Sequence, residues 1–206
     1  MGTKRVGLAR MEALMENLKR ELAMSTATID LAGINTTAQM TAGTGITGLG
    51  ANVVKHSVVK IGNLFHTQIL IDLGGLASAS AADKVIGNGT NANAHIGQIT
   101  AAVNGTIMAG RMTCLETPTT GEPDIDLLTD TVGTNAGSSA ASAFTSASAI
   151  VTAGQDWIAT LSANQFTTSG MATVPAADSF LYLVSSGGNT AGTYGTGKYL
   201  LEFWGY

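Results

Sequence analysis

Two hydrophobic periods run along this 206-residue chain. Near its start Leu8, Met11, Met15, Leu18 and Leu22 recur at alternating spacings of three and four, the seam of an amphipathic helix over two heptads. Residues 4–24 contain no Pro and a single Gly, Gly7, while Ala13 and Leu14 widen the seam. Glu16 precedes Arg20 by four, the favourable orientation for a helical ion pair. The spacing predicts a helix over 4–24, about 30 Å long at ~1.5 Å per residue. A lone helix of that length is marginal in water, so its stripe needs a partner surface. That surface is either the chain's own body or the same stripe on other copies. The spacer that follows tips the reading towards self-association.

The period then lapses and returns as two. Residues 25–52 are rich in Thr, Ala and Gly and read as an extended linker or arm. Its apolar residues Ile29, Leu31, Ile34, Ile46 and Leu49 are expected to lie along a neighbouring surface. From residue 53 to 206 the pattern is β. Val53–Ile61 and Leu64–Leu73 flank Gly62-Asn63, a reversal. Ile96–Val103 and Thr106–Glu116 flank Asn104-Gly105, the favoured pair for a tight hairpin. Further strands are expected at Ile125–Val132, Ala149–Val151, Trp157–Leu161, Phe180–Ser185 and Lys198–Trp204. Nine short strands predict a mainly β body, a jelly-roll-like sandwich or barrel preceded by the helix and linker. Residues 133–149 are nearly uncharged and of low complexity, and read as a loop covered by a neighbour or a weakly ordered insertion.

Composition narrows the function. Only 12% of residues are charged, about half the usual ~25%. So little charge leaves surface that suits cover by partner chains. Residues 1–24 carry five basic residues against three acidic; the remainder carries five against eleven. A net acidic body repels phosphate, so nucleic acid is not an expected partner. Neither is a membrane, since no apolar run approaches ~20 residues. Cys114, the single cysteine, forms no intrachain disulfide and fits a reducing compartment.

Catalytic signatures are absent: no phosphate-binding loop, no H-E-x-x-H, no G-x-S-x-G. Neither a cofactor nor a metal is expected. His56 and His66 fall on neighbouring strands, but two imidazoles are short of a zinc set. Glu116, Glu122, Asp124 and Asp126 form the densest acidic cluster. Carboxylates so placed suit glycoside cleavage or calcium, yet Pro118, Gly121 and Pro123 favour a solvated turn. Cys114 alternates with Met112 as a core residue rather than a nucleophile. Trp157, Trp204, Tyr182, Tyr194, Tyr199 and Tyr206 are candidates for stacking on sugar rings, or simply core and edge aromatics.

Three stretches carry a resemblance: Met1 to Arg10 running on to Leu22, His95 to Leu127 through Cys114-Leu115-Glu116 and Gly121-Glu122-Pro123-Asp124, and Ala191 to Glu202. Together they resemble virion structural proteins of marine tailed phages. The resemblance leaves out the linker and residues 133–149. It implies a particle component with no catalytic residues, most simply a trimeric cement or decoration protein on the outer capsid surface, made in the host cytoplasm. The expected partners are other copies, through Leu8, Met11, Met15, Leu18 and Leu22, and the major capsid protein, through Lys4, Arg5 and Arg10. A head or tail fibre module that recognises a host glycan is the alternative.

Overall fold

The computed structural model describes residues 40–47, 54–79, 81–152, 167–187 and 191–206, with Ala13 and Trp157. The expected helix seam and the basic residues Lys4, Arg5 and Arg10 lie outside the described residues, as does the linker up to residue 39.

The body is mainly β and its sheets are antiparallel. The first sheet holds β1 (Val54–Ile61), β2 (Leu64–Asp72), β6 (Ile107–Thr119), β9 (Thr167–Gly170) and β12 (Thr196–Gly205), in the order β1-β2-β12-β6-β9. The second holds β4 (Lys84–Val85), β7 (Ile125–Asp130), β8 (Ser148–Val151) and β10 (Phe180–Ser185), in the order β4-β10-β7-β8. The short β5 (Gly97–Gln98) also pairs with β10. A two-strand ribbon joins β3 (Ala77–Ser78) to β11 (Gly192–Thr193). From β6 onward the chain crosses between the two main sheets four times: β6 to β7, β8 to β9, β9 to β10 and β10 to β12.

Alternation explains why the sheets share one core. In β2 and β12 every second residue points inward: Ile69 and Ile71, then Tyr199, Leu201 and Phe203, all buried. Met112 and Cys114 extend that layer on β6. From the other sheet Ile125, Leu127, Leu181 and Leu183 join the same cluster, with Ile150 and Val151 on β8. Each such side chain gains roughly 1.5–3 kcal/mol from full burial.

The hairpin over Gly62-Asn63 forms as the pattern implies, with Ile61 opposite Leu64. Asn104-Gly105 does not. Residues 101–104 make a single helical turn, and β5 pairs with β10 rather than with β6. The turn wins because the fold supplies hydrogen-bond partners to Thr100 and Asn104. The Val103 amide donates to Thr100 Oγ1 at 3.3 Å, capping the turn. Asn104 is fully buried, donating to Thr67 Oγ1 at 2.9 Å and accepting from the Thr100 amide at 2.9 Å. Gly105 then leaves at φ 68, where any Cβ would press on Phe65 and the Tyr206 carbonyl. Local turn preference yields to this tertiary network.

The linker also reaches further into the fold than its composition suggests. Residues 44–47 form a short helix, and Ile46, expected on a neighbouring surface, is fully buried in the chain's own core with Met40 beside it.

Residues 133–149 are not a weakly ordered insertion. They lie over the outer face of the second sheet. Ala141 and Phe144 pack there against Tyr182 and Val184, with Phe144 and Tyr182 ring centroids 5.0 Å apart. Backbone bonds stitch the segment to residues 83–94: Ala141 N to Asp83 O, Val85 N to Ser139 O, Ala94 N to Asn135 O. Small residues suit this role because backbone meets backbone. A Cβ on Gly137 would lie 2.1 Å from the Gly89 carbonyl oxygen.

One carboxylate pins the cover. Asp130 is 1% exposed. Its Oδ1 accepts from the Thr131 and Ser146 amides at 2.8 and 2.9 Å. Its Oδ2 accepts from Asn135 Nδ2 at 2.8 Å and the Thr145 amide at 3.3 Å. Burial alone would raise its pKa; the four donors outweigh that and hold it below the usual range.

Candidate docking face

With one sheet covered by its own chain, the outer face of the other is the one that the described residues leave open. Register places its side chains in rows across the strands. Val59, His66, Trp204 and Ala109 form the first; Ser57, Gln68, Glu202 and Arg111 the second; Lys55, Leu70, Leu200 and Thr113 the third. A fourth row carries Asp72, Lys198 and Glu116, with Lys198 bonded to Glu116. The strands alternate as an exposed face should, but leucines recur among the polar positions. Leu70 and Leu115 are 36% and 37% exposed. With Leu200, Gln68 and Lys55 they line a shallow depression of about 230 Å³. Ile61 and Leu64 project at the hairpin end.

The centre of this face is a built polar network. Glu202 is only 5% exposed although it sits on the outward side of the sheet. Arg111 Nε donates to its Oε2 at 2.5 Å, and Gln68 Nε2 donates to Oε1 at 3.5 Å. His66 Nε2 stands 3.3 Å from Oε1. Burial works against the carboxylate, but Arg111, Gln68 and His66 together hold its pKa below the ordinary glutamate value. Trp204 stands beside it, in contact with two members of the network. His66 stacks on its ring, centroids 5.3 Å apart and planes within 5°. Arg111, from the strand on the other side, lies 5.7 Å from the ring centroid. The platform is therefore preset: its side chains hold one another in place.

The other sequence candidates are dispersed. His56 pairs with Ile69 and points inward, whereas His66 pairs with Val59 and points outward, so the two do not meet. Glu122 and Asp126 are buried rather than solvated. The turn around them is internal scaffolding. The Glu122 amide donates to Ser78 Oγ, Tyr194 Oη donates to the Glu122 carbonyl at 2.8 Å, and the Ser186 amide donates to the Asp124 carbonyl. Glu116 is on the first sheet, tied to Lys198, while Asp126 is on the second, opposite Val184. No group of three His, Cys, Asp or Glu side chains among the described residues could hold a metal ion. Trp157, Tyr182, Tyr194 and Tyr199 are core, each at most 2% exposed. Trp157 donates its indole N–H to the Ile125 carbonyl at 2.9 Å. Of the aromatic candidates described, only Trp204 and Tyr206 reach the surface, and Trp204 is engaged by His66 and Arg111. Cys114 is buried, its Sγ 3.3 Å from the Glu116 carbonyl, and burial pushes its thiol pKa up, away from reactivity.

Sequence reasoning misses the Glu202 network as a unit: the alternation along β12 puts Glu202 and Trp204 on one face, but Gln68, His66 and Arg111 join them only through strand pairing. No helix among the described residues is long and apolar enough to cross a membrane. Compared with known proteins, the chain matches no family model, no curated protein and no solved structure.

Proposed function

We propose that this chain is a non-enzymatic structural component of a tailed-phage particle, a trimeric cement protein on the outer capsid surface. In this reading the body is jelly-roll-like. Three copies bundle through Leu8, Met11, Met15, Leu18 and Leu22. The major capsid protein is met through Lys4, Arg5 and Arg10 and through the open face of the five-stranded sheet. The observation that carries the reading is the asymmetry of the body. One sheet is sealed by the chain's own residues 133–149, while the other leaves leucines and a preset polar network uncovered. Several modest contacts per trimer would act together, so no single one need be strong. Binding to the assembled lattice and not to free subunits stabilises the shell by mass action.

The test is heat release of packaged DNA from particles with and without the protein. Earlier release without it, restored by adding purified protein back, supports the reading. Equal heat tolerance refutes the cement role. Binding of the purified protein to host cells but not to bare capsids would shift the assignment to a receptor-binding module.

A further inference from the structure

Residues 40–47 lie on the body as a strap that joins residues 1–39 to it. The Gly43 amide donates to the His95 carbonyl at 2.8 Å, the Gly45 amide to the Asn93 carbonyl at 3.0 Å, and the Asn88 amide to the Gly45 carbonyl at 2.7 Å. The strap rests on two imidazoles. His95 sits under Gly43, so close that a Cβ there would come within 2.9 Å of His95 Cδ2. Its ring packs edge-on to Phe180 and Tyr182, at centroid distances of 4.9 and 6.3 Å, and its Nδ1 is buried without a hydrogen bond. His56 donates Nε2–H to the Ile96 carbonyl at 2.6 Å and, with Met40, closes on the space above Gly97. A cavity of about 420 Å³ between the strap and Phe180 leaves room for the strap to shift.

We propose that His56 and His95 form an acid-sensitive latch, which holds the strap against the body at neutral pH and loosens it when the two rings take up protons. The strap itself, Met40 to Thr47, has no titratable side chain. On β10 the only one is Tyr182, whose hydroxyl is committed to the Val132 carbonyl at 2.7 Å. On β1, Lys55 belongs to the opposite face, and Lys60 lies over Phe65 with its nitrogen 4.7 Å from the ring centroid. Asp130, across from Phe180, is held by its four donors. Asp178 reaches this region through its carbonyl, which accepts from Gln98. Neither ring has a carboxylate partner among the described residues, so a second charge here meets only the first.

The direction follows from burial. Burial lowers the pKa of His56, partly offset by the Ile96 bond; burial and then the neighbouring His56 lower that of His95. With the strap open both would titrate near ~6.5. Below that pH the open form binds protons that the closed form resists. The closed strap therefore weakens as pH falls and stops weakening below the closed-state values.

The experiment is amide hydrogen exchange on the full-length chain, corrected for intrinsic rates. Between about pH 7.5 and about pH 5, protection at Gly43 and Gly45 is expected to fall about tenfold for each unit by which burial lowers a pKa. The Leu201 and Phe203 amides should hold. His95→Phe, which keeps a ring against Phe180 and Tyr182, should remove much of the pH dependence; His56→Gln serves if that variant does not fold. Unchanged protection at the two glycines would overturn the latch. So would an equal fall at Leu201 and Phe203, or the same fall in a folded variant.

Discussion

The outer faces of the two sheets are built from similar strands and end in opposite conditions. On the second sheet Tyr182, Val184 and Leu128 face outward and are sealed beneath residues 133–149. On the first, Leu70, Leu115 and Trp204 face outward and remain open. The difference lies in what each buried carboxylate binds. Asp130 takes mostly backbone amides, from segments that are thereby fastened over the sheet. Glu202 takes side chains from neighbouring strands and so stiffens a surface without covering it. One carboxylate fastens a cover over its face and the other stiffens a face that the described residues leave open.

That contrast can be broken from the covered side first. Asp130→Ala leaves four donors without their acceptor and should destabilise the fold by about 4 kcal/mol in urea unfolding, since each unsatisfied buried group costs ~1–3 kcal/mol. The variant should also bind a hydrophobic dye as the cover lifts. Phe144→Ala should cost about 3 kcal/mol, the low end for a buried phenylalanine, because Phe144 is 8% exposed. Acid acts on both faces. Asp130 and Glu202 have folded pKa values below their unfolded ones, near ~3.9 and ~4.3. Their stabilisation is fully present above those values and is lost as pH falls through the lower folded ones. A thermal melt series in acid should show this loss, and Asp130→Asn should flatten it.

The smallest stability effect belongs to the open face. Leu70→Ser with Leu115→Ser should change the unfolding free energy by less than ~1 kcal/mol, as partly exposed positions usually do. Attachment of the same variant to particles, followed by co-sedimentation, should nonetheless fail. A large loss of stability instead would mean that these leucines serve the fold and not a partner.

Much of this arrangement is legible in the sequence where the period is two and both strands are long. The β1–β2 hairpin and the inward set Tyr199, Leu201 and Phe203 follow from alternation, and β10 from a continuous apolar run buried on both faces. Short paired pieces such as Ala77–Ser78 and Gly192–Thr193 leave no periodic trace. The cover is illegible for another reason. Apart from Ala141 and Phe144 its contacts are largely backbone to backbone, and Asp130, which holds it, belongs to a different element, so a run of Ser, Ala and Gly gives little sign of what it closes. Asn104-Gly105 misleads because the bonds that fix Asn104 come from Thr67 and Thr100, which only the fold brings together. The histidines mislead less: strand parity alone separates His56 from His66.

The most direct test of the open face is hydroxyl-radical footprinting of the free protein and of the protein on intact particles. Leu70, Leu115 and Trp204 should be labelled in the free protein and shielded on the particle, while Val174, exposed on the connection between β9 and β10, keeps its labelling. Equal labelling of Leu70, Leu115 and Trp204 in the two states would contradict the account.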